Sequence, residues 1–432
     1  MNSLKNILNT HLFRVTSLNT ISVLVRIAGG VAASKIIALF IGPSGLALIG
    51  NFRNFLSSVD TVATLGLQNG IIKYVAENEK DRNKLAKVLT TVLTTLLILI
   101  IIVSIALFFL SGYWSRWIFN DHDEYAWVIR ILAFLLPWYG GNIILVSILN
   151  GFGRYKDVIY LNIWGNITGV ALSALLIWQM GVEGALLGII ISPASLFIFS
   201  FYLVSKKLEG LFFFKKDNID LHILKGFFSY SLMSLVTAVL GPIVYVGLRN
   251  MITDNAGAEE AGFYEGINRI SAFYMMFIST LLTVYFLPKL SVAKTNTETQ
   301  RVFRSYYLGI VPVFIGGVTA LFFLKDFVIL ILLSEEFMPM KKLFFWQLLG
   351  DVFKVCMLIL GYEFFAKKMT KAFIVTEAFS FVLLYISGSF LIGHFGSEGA
   401  VMAHALIYAV LLFVMVIYFR KKLFSSTPQD TF

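Results

Sequence analysis

The chain has 432 residues, 58% of them hydrophobic and only 14% charged, with a formal net charge of +10. Its mean hydropathy is +0.81. Soluble domains carry about 25% charged residues, so this composition excludes a soluble protein of this size and implies a polytopic membrane protein.

Twelve apolar spans follow one another at about 15–41, 44–75, 85–110, 126–150, 157–179, 182–205, 225–250, 258–288, 303–325, 341–366, 371–393 and 398–419. Each has the ~20 residues that a helix needs to cross a bilayer. The first reads as a retained helix: no small-residue cleavage site follows it, and Gly42-Pro43 turns directly into the second. With the N-terminus inside, 23 basic residues fall on inner segments and four on outer ones (Arg116, Lys325, Lys341 and Lys342). The outer connections are acidic, with Asp121, Asp123, Glu124, Asp254, Glu259 and Glu260. The positive-inside rule then predicts cytoplasmic termini. Most of the basic charge is a topology signal, and nucleic acid is not an expected partner.

Eight bases and five acids remain within the spans: Arg26, Lys35, Arg53, Lys73, Arg130, Arg249, Arg269 and Lys354, with Asp60, Glu265, Asp351, Glu363 and Glu377. A charge at the bilayer centre costs ~2.5–3.5 kcal/mol on insertion scales, so such residues face a wet cavity or a partner. Lys73, Arg130, Glu363 and Glu377 lie near span ends, where long side chains snorkel. Lys35 follows Arg26 by nine residues and faces the other side of that helix. Glu265 and Arg269 are four apart, Asp351 and Lys354 three apart, and each couple can pair on its own helix. Arg26, Arg53 and Asp60 carry no opposite charge three or four positions away in the sequence. An aqueous interior in a bundle of twelve helices points to a transport path.

The chain repeats itself. GVEGALLG (181–188) matches GSEGAVMA (396–403), with Glu183 and Glu398 separated by 215 residues. Gly45 and Asn51 recur as Gly262 and Asn268, an offset of 217, and Trp138 with Gly140-Gly141 is echoed by Trp346 with Gly350-Asp351. The expected architecture is all-α, with two six-helix lobes, 1–205 and 225–432, joined by a charged cytoplasmic linker, 206–224. Six is even, so both lobes enter the membrane in the same orientation, as in parallel-repeat transporters. Within the linker, Leu211–Phe214 beside Lys215-Lys216 is an interfacial anchor or a turn.

One cysteine, Cys356, in an apolar stretch excludes a disulfide framework. The five histidines (His11, His122, His222, His394 and His404) form no metal-spaced pair. No phosphate loop or nucleophile elbow is present. Neither catalytic residues, nor a metal, nor a cofactor is expected.

The stretches FIGPSGLALIGNFR (40–53), NGIIKYVA (69–76) and WQLLGDVFKV (346–355), with the glycine-rich first span, resemble the Wzx-type flippases of the multidrug/oligosaccharidyl-lipid/polysaccharide exporter superfamily. The resemblance covers nearly the whole chain. It implies a V-shaped central cavity with a cationic lining and alternating access. It also implies a substrate, an undecaprenyl-pyrophosphate-linked oligosaccharide of the enterobacterial common antigen or O-antigen type, moved to the periplasmic leaflet of a bacterial inner membrane. Membrane lipid and the polymerase and chain-length proteins of the same pathway are its candidate partners. Asn51 and Arg53 of N-F-R, Asn69 and Lys73 of N-G-x-x-K-Y, and Asp351 and Lys354 of G-D-x-x-K carry over by motif; Asp60 and Arg269 match none.

A pyrophosphate suits arginine, whose planar fork makes paired hydrogen bonds. The candidate substrate-binding residues are Arg26, Asn51, Arg53, Arg249, Arg269 and Lys354. Asp60, Glu265 and Asp351 are candidate coupling or ion-pair residues. Two alternatives stand beside this reading. A cation-coupled drug antiporter of the same superfamily favours acidic cavities, whereas bases outnumber acids here by eight to five. A membrane glycan polymerase or ligase needs a large outer loop, and the longest outer connections run to about 15 residues.

Overall fold

The computed structural model describes the backbone of residues 11–207 and 222–424. Most of the expected linker, including Leu211–Phe214 and Lys215-Lys216, lies outside the described residues. Among the described residues every regular element is helical. In chain order they are α1 (His11–Phe40), α2 (Gly42–Thr64), α3 (Gln68–Asn78), α4 (Arg82–Phe109), α5 (Ser111–Ile118), α6 (Ala126–Gly151), α7 (Tyr155–Lys207) and α8 (His222–Ala256). They continue with α9 (Ala258–Leu281), α10 (Leu287–Val292), α11 (Asn296–Phe323), α12 (Lys325–Leu332), α13 (Phe344–Ala366), α14 (Thr370–Tyr418) and α15 (Arg420–Phe424). A π turn, Leu282–Phe286, joins α9 to α10, and a 3-10 segment, Glu335–Leu343, precedes α13.

Nine helical stretches among the described residues are long and apolar enough to cross a membrane. Their large apolar side chains point outward as well as inward: Phe109, Trp178, Phe323 and Phe390 are all exposed. Such a surface is at home only against lipid, where helices satisfy their own backbone groups. This is a multi-pass membrane protein.

Two of the nine are far longer than one crossing. α7 breaks at Gly181 and α14 at Gly396. In each, the next glycine of the G-x-x-G repeat lets the returning helix close on the one before it. A Cβ on Gly184 would lie 1.9 Å from the Leu176 carbonyl oxygen, and one on Gly399 would lie 2.2 Å from that of Leu391. The sequence repeat is thus a repeated helical hairpin.

The expected second span, 44–75, is instead two helices. Leu65 (φ 51°) and Gly66 (φ 59°) both turn left-handed and end α2, and α3 starts at Gln68. The Leu65 carbonyl accepts a hydrogen bond from Ser231 Oγ, and a Cβ on Gly66 would lie 2.6 Å from Ser234 Cβ. Helix starts follow local capping chemistry. Asp81 caps α4 through the Lys84 amide at 3.1 Å, and that amide holds its carboxyl below the usual range. Thr295 and Glu298 form a reciprocal capping box on α11.

The chain divides into two compact units, 1–41 with 51–239, and 42–50 with 240–432. In the first, α6 is central. Small residues let its neighbours close in: Cβ atoms on Gly140, Gly141 and Gly151 would meet Ile100 of α4, Phe197 of α7 and Val75 of α3 at 2.6–2.8 Å. In the second unit, Pro43 at the start of α2 lies on α9, where a Cβ on Gly262 would come within 2.0 Å of the Pro43 carbonyl oxygen.

Candidate functional site

The second unit holds two buried polar clusters. The first centres on Glu265 of α9. Its Oε2 takes Arg249 NH2 at 3.1 Å and its Oε1 takes Arg269 Nε at 3.2 Å, with all three side chains buried. The i,i+4 spacing brings Arg269 to Glu265, as its sequence separation predicts; Arg249 arrives from α8. Gly50 of α2 makes room for the carboxylate, because a Cβ there would lie 2.4 Å from Glu265 Cδ. This explains two glycine-dependent features of the 40–53 stretch and its partner helix: Gly262 admits Pro43, and Gly50 admits Glu265.

The second cluster centres on Asp351 of α13, which is fully buried. Asp351 Oδ1 lies 3.0 Å from His404 Nε2. Its Oδ2 accepts hydrogen bonds from Ser271 Oγ at 2.7 Å, from the Tyr274 hydroxyl and from Gln347 Nε2 at 3.3 Å. The expected Asp351–Lys354 couple is not the main contact. Lys354 Nζ sits over the Tyr408 ring, 5.1 Å from its centroid, and that ring packs edge-on to His404 at 4.8 Å. Gly350 makes this possible, since a Cβ there would lie 2.4 Å from His404 Cδ2.

His404, Tyr274 and Ser271 escape sequence reasoning because each reaches Asp351 from a distant part of the chain. The local signals were the pair Gly350-Asp351, a small residue beside a buried acid, and Gln347 one helical turn before it.

In the first unit the predicted residues part company. Asn51 is buried and its Nδ2 donates to the Ile118 carbonyl at 2.8 Å, tying α2 to the end of α5. Arg26 and Arg53 are exposed along α1 and α2, and Asp60 is half-buried. Asp60 Oδ1 is a buried atom with no hydrogen-bond partner among the described residues. Of the charges expected to snorkel, Glu363 is instead fully buried and meets Lys422 Nζ at 2.6 Å, because α15 folds back over the end of α13. Arg130 donates to Ser111 Oγ at 3.0 Å, and Lys73 pairs with Glu77 on an exposed face at 3.7 Å.

Against this geometry, the family described as polysaccharide biosynthesis protein matches residues 14–294. The chain belongs to that family. It is a Wzx-type member of the multidrug/oligosaccharidyl-lipid/polysaccharide exporter superfamily. Among curated relatives, the lipid III flippase of Escherichia coli (strain K12) is 30% identical over 390 residues, which is 90% of this chain and 93% of that protein. Among solved structures, an inward-facing multidrug resistance MATE family transporter of the MOP superfamily aligns with TM-score 0.75 and 16% identity, over 94% of this chain and 96% of its own. The lipid II flippase MurJ in an inward closed conformation aligns with TM-score 0.69 and 15% identity, over 94% and 87%. At those identities the two structures show a shared fold and no more. The polysaccharide biosynthesis family thus carries here a transporter fold whose second unit pairs the buried Glu265 with Arg249 and Arg269, while Arg26 and Arg53 are exposed in the first.

Proposed function

We propose that this protein is a flippase that carries an undecaprenyl-pyrophosphate-linked oligosaccharide, of the enterobacterial common antigen or O-antigen type, to the periplasmic leaflet by alternating access. The observation that carries the reading is the 30% identity to a lipid III flippase across 93% of that protein. Chemistry within the first unit supports it. Arg26 is exposed on a helix long and apolar enough to cross a membrane, and Arg53 is exposed on α2; an arginine inside a membrane protein calls for a wet cavity or a polar partner. A pyrophosphate is such a partner, and the guanidinium fork fits it.

The same reading places the protein in a bacterial inner membrane with both termini cytoplasmic, following the distribution of basic residues. Membrane lipid surrounds it, and the polymerase and chain-length proteins of the pathway take up its product. The likeness to a MATE transporter supports a shared fold, not a shared cargo.

The test is translocation by the purified protein in proteoliposomes. A fluorescent pyrophosphate-linked oligosaccharide lipid should become accessible to an added glycosidase in protein-containing vesicles and stay protected in empty ones. Equal protection in both would reject the reading. So would efflux of organic cations at matched protein with no movement of the lipid.

A further inference from the structure

The second unit contains a cavity of about 510 Å³ between α11, α13, α14 and α15. Its walls are apolar and aromatic, with Phe303, Tyr307, Leu412 and Val416 prominent, and Cys356 and Arg304 also line it. Two polar wall groups suited to a sugar, Tyr307 and Gln300, are already engaged. The Tyr307 hydroxyl donates to the Cys356 carbonyl at 2.8 Å, and Gln300 Nε2 donates to the Leu423 carbonyl at 2.9 Å. The second bond also ties α15 across to α11, which closes one side of the cavity. What remains is an apolar slot with one long cation on its wall.

The surroundings of that cation are one-sided. Arg304 is exposed, as are Arg301 one turn earlier and Arg420 and Lys421 on α15. The acids of this end are committed. Glu298 Oε2 accepts from the Lys294 amide at 2.7 Å within the capping box, and Glu363 meets Lys422. No ion pair to Arg304 occurs among the described residues. An apolar slot in the bilayer zone beside a basic rim is complementary to an amphiphile with an anionic head, and basic pockets between membrane helices bind acidic lipid headgroups.

We propose that this cavity seats an anionic phospholipid of the membrane, its acyl chain in the slot and its phosphate on Arg304. The site is separate from the exposed arginines of the first unit and does not depend on the cargo proposed above.

Cys356 is the sole cysteine of the chain, so the native protein carries its own reporter. In detergent, alkylation of Cys356 by N-ethylmaleimide is followed by mass spectrometry while a phosphatidylglycerol or a phosphatidylcholine with the same acyl chains is added. The expected result is protection by phosphatidylglycerol at a concentration about tenfold lower, as one charge-assisted contact gives. Arg304→Gln, on an exposed face, should remove that difference while its melting curve stays unchanged. A second variant, Leu412→Trp, fills the slot and should slow alkylation with no lipid present.

Three outcomes overturn the proposal. The first is equal protection by the two lipids, or none by either. The second is protection by farnesyl phosphate at lower concentration than phosphatidylglycerol, which would assign the slot to a polyprenyl chain. The third is faster alkylation without lipid after truncation behind Phe424, which would make residues 425–432 the occupant.

Discussion

Gly181 and Gly396, 215 residues apart, adopt one backbone conformation: φ 57°, ψ −126° and φ 58°, ψ −135°. These angles are those of the first central residue of a type II′ turn, the mirror image of the common type II, and a side chain is strained there. The glycine three positions later faces a carbonyl oxygen in both copies. Gly184→Ala and Gly399→Ala should therefore be the more damaging changes, since a Cβ within 1.9–2.2 Å of backbone oxygen forces the hairpin open. Gly181→Ala and Gly396→Ala, with no such overlap, should cost about 1–3 kcal/mol of strain each. Thermal melting of the purified variants by tryptophan fluorescence checks the order; equal loss in all four would contradict it.

The glycine-hinged repeat, the helical class and the multi-pass membrane character were legible in sequence because apolar length and small-residue motifs are local signals. The break at Leu65 and Gly66 was not. The residues around it stay apolar, and what fixes the break is the approach of Ser231 and Ser234 from far along the chain. The site was legible in part for the same reason. Glu265–Arg269 is one helical turn and readable, whereas Arg249 and His404 reach their partners only through tertiary packing. Glu363 shows the converse error: its place at a span end suggested a snorkelling side chain, and α15 buries it under Lys422 instead.

Glu265 stands between two buried arginines, so its removal leaves two like charges in a buried setting. Breaking a buried ion network by deleting one partner costs about 3–5 kcal/mol. Glu265→Gln should lower the yield of monodisperse protein sharply. Gly50→Ala should do the same more mildly, by pushing the carboxylate off its partners. Size-exclusion profiles at equal expression decide this, and a normal profile for Glu265→Gln would show that the network contributes little to folding.

The three carboxylates are not equivalent candidates for coupling to an ion gradient. Glu265 is held by two arginines and fits a structural role. Asp351 is held by neutral donors and an imidazole, and Asp60 keeps one buried oxygen with no hydrogen-bond partner among the described residues. If a proton gradient drives transport, Asp60→Asn or Asp351→Asn should abolish the dependence on the gradient while the protein stays folded. His404→Gln should follow Asp351→Asn in direction. Retained gradient dependence in all three variants would leave these residues as packing elements.

Topology is testable without reference to cargo. The positive-inside rule predicts that positions 3, 205 and 425 lie on the cytoplasmic side. In a Cys356→Ser background, single cysteines replacing Ser3, Ser205 and Ser425 should react with a membrane-impermeant maleimide only after the cells are permeabilised. Labelling of any of them in intact cells would invert the assignment.

Arg53 offers the sharpest test of the cargo reading, because its exposed position separates function from folding. A hydrogen bond between charged groups contributes ~1.5–3 kcal/mol, so losing one should weaken binding of a pyrophosphate lipid by roughly 10- to 150-fold. Arg53→Gln and Arg26→Gln should each show that loss with unchanged melting behaviour. Arg53→Lys should retain part of the affinity, because the charge survives while the two-pronged geometry is lost. Lys354→Gln should behave differently: Lys354 packs on Tyr408 beside the Asp351 cluster, so its loss should lower stability together with transport. Binding to the purified variants, measured with a pyrophosphate lipid and with its neutral dephosphorylated counterpart, separates the cases. An arginine that reads phosphate loses affinity for the first and not for the second. Equal affinity for both lipids in the wild type would remove the arginines from the binding site altogether.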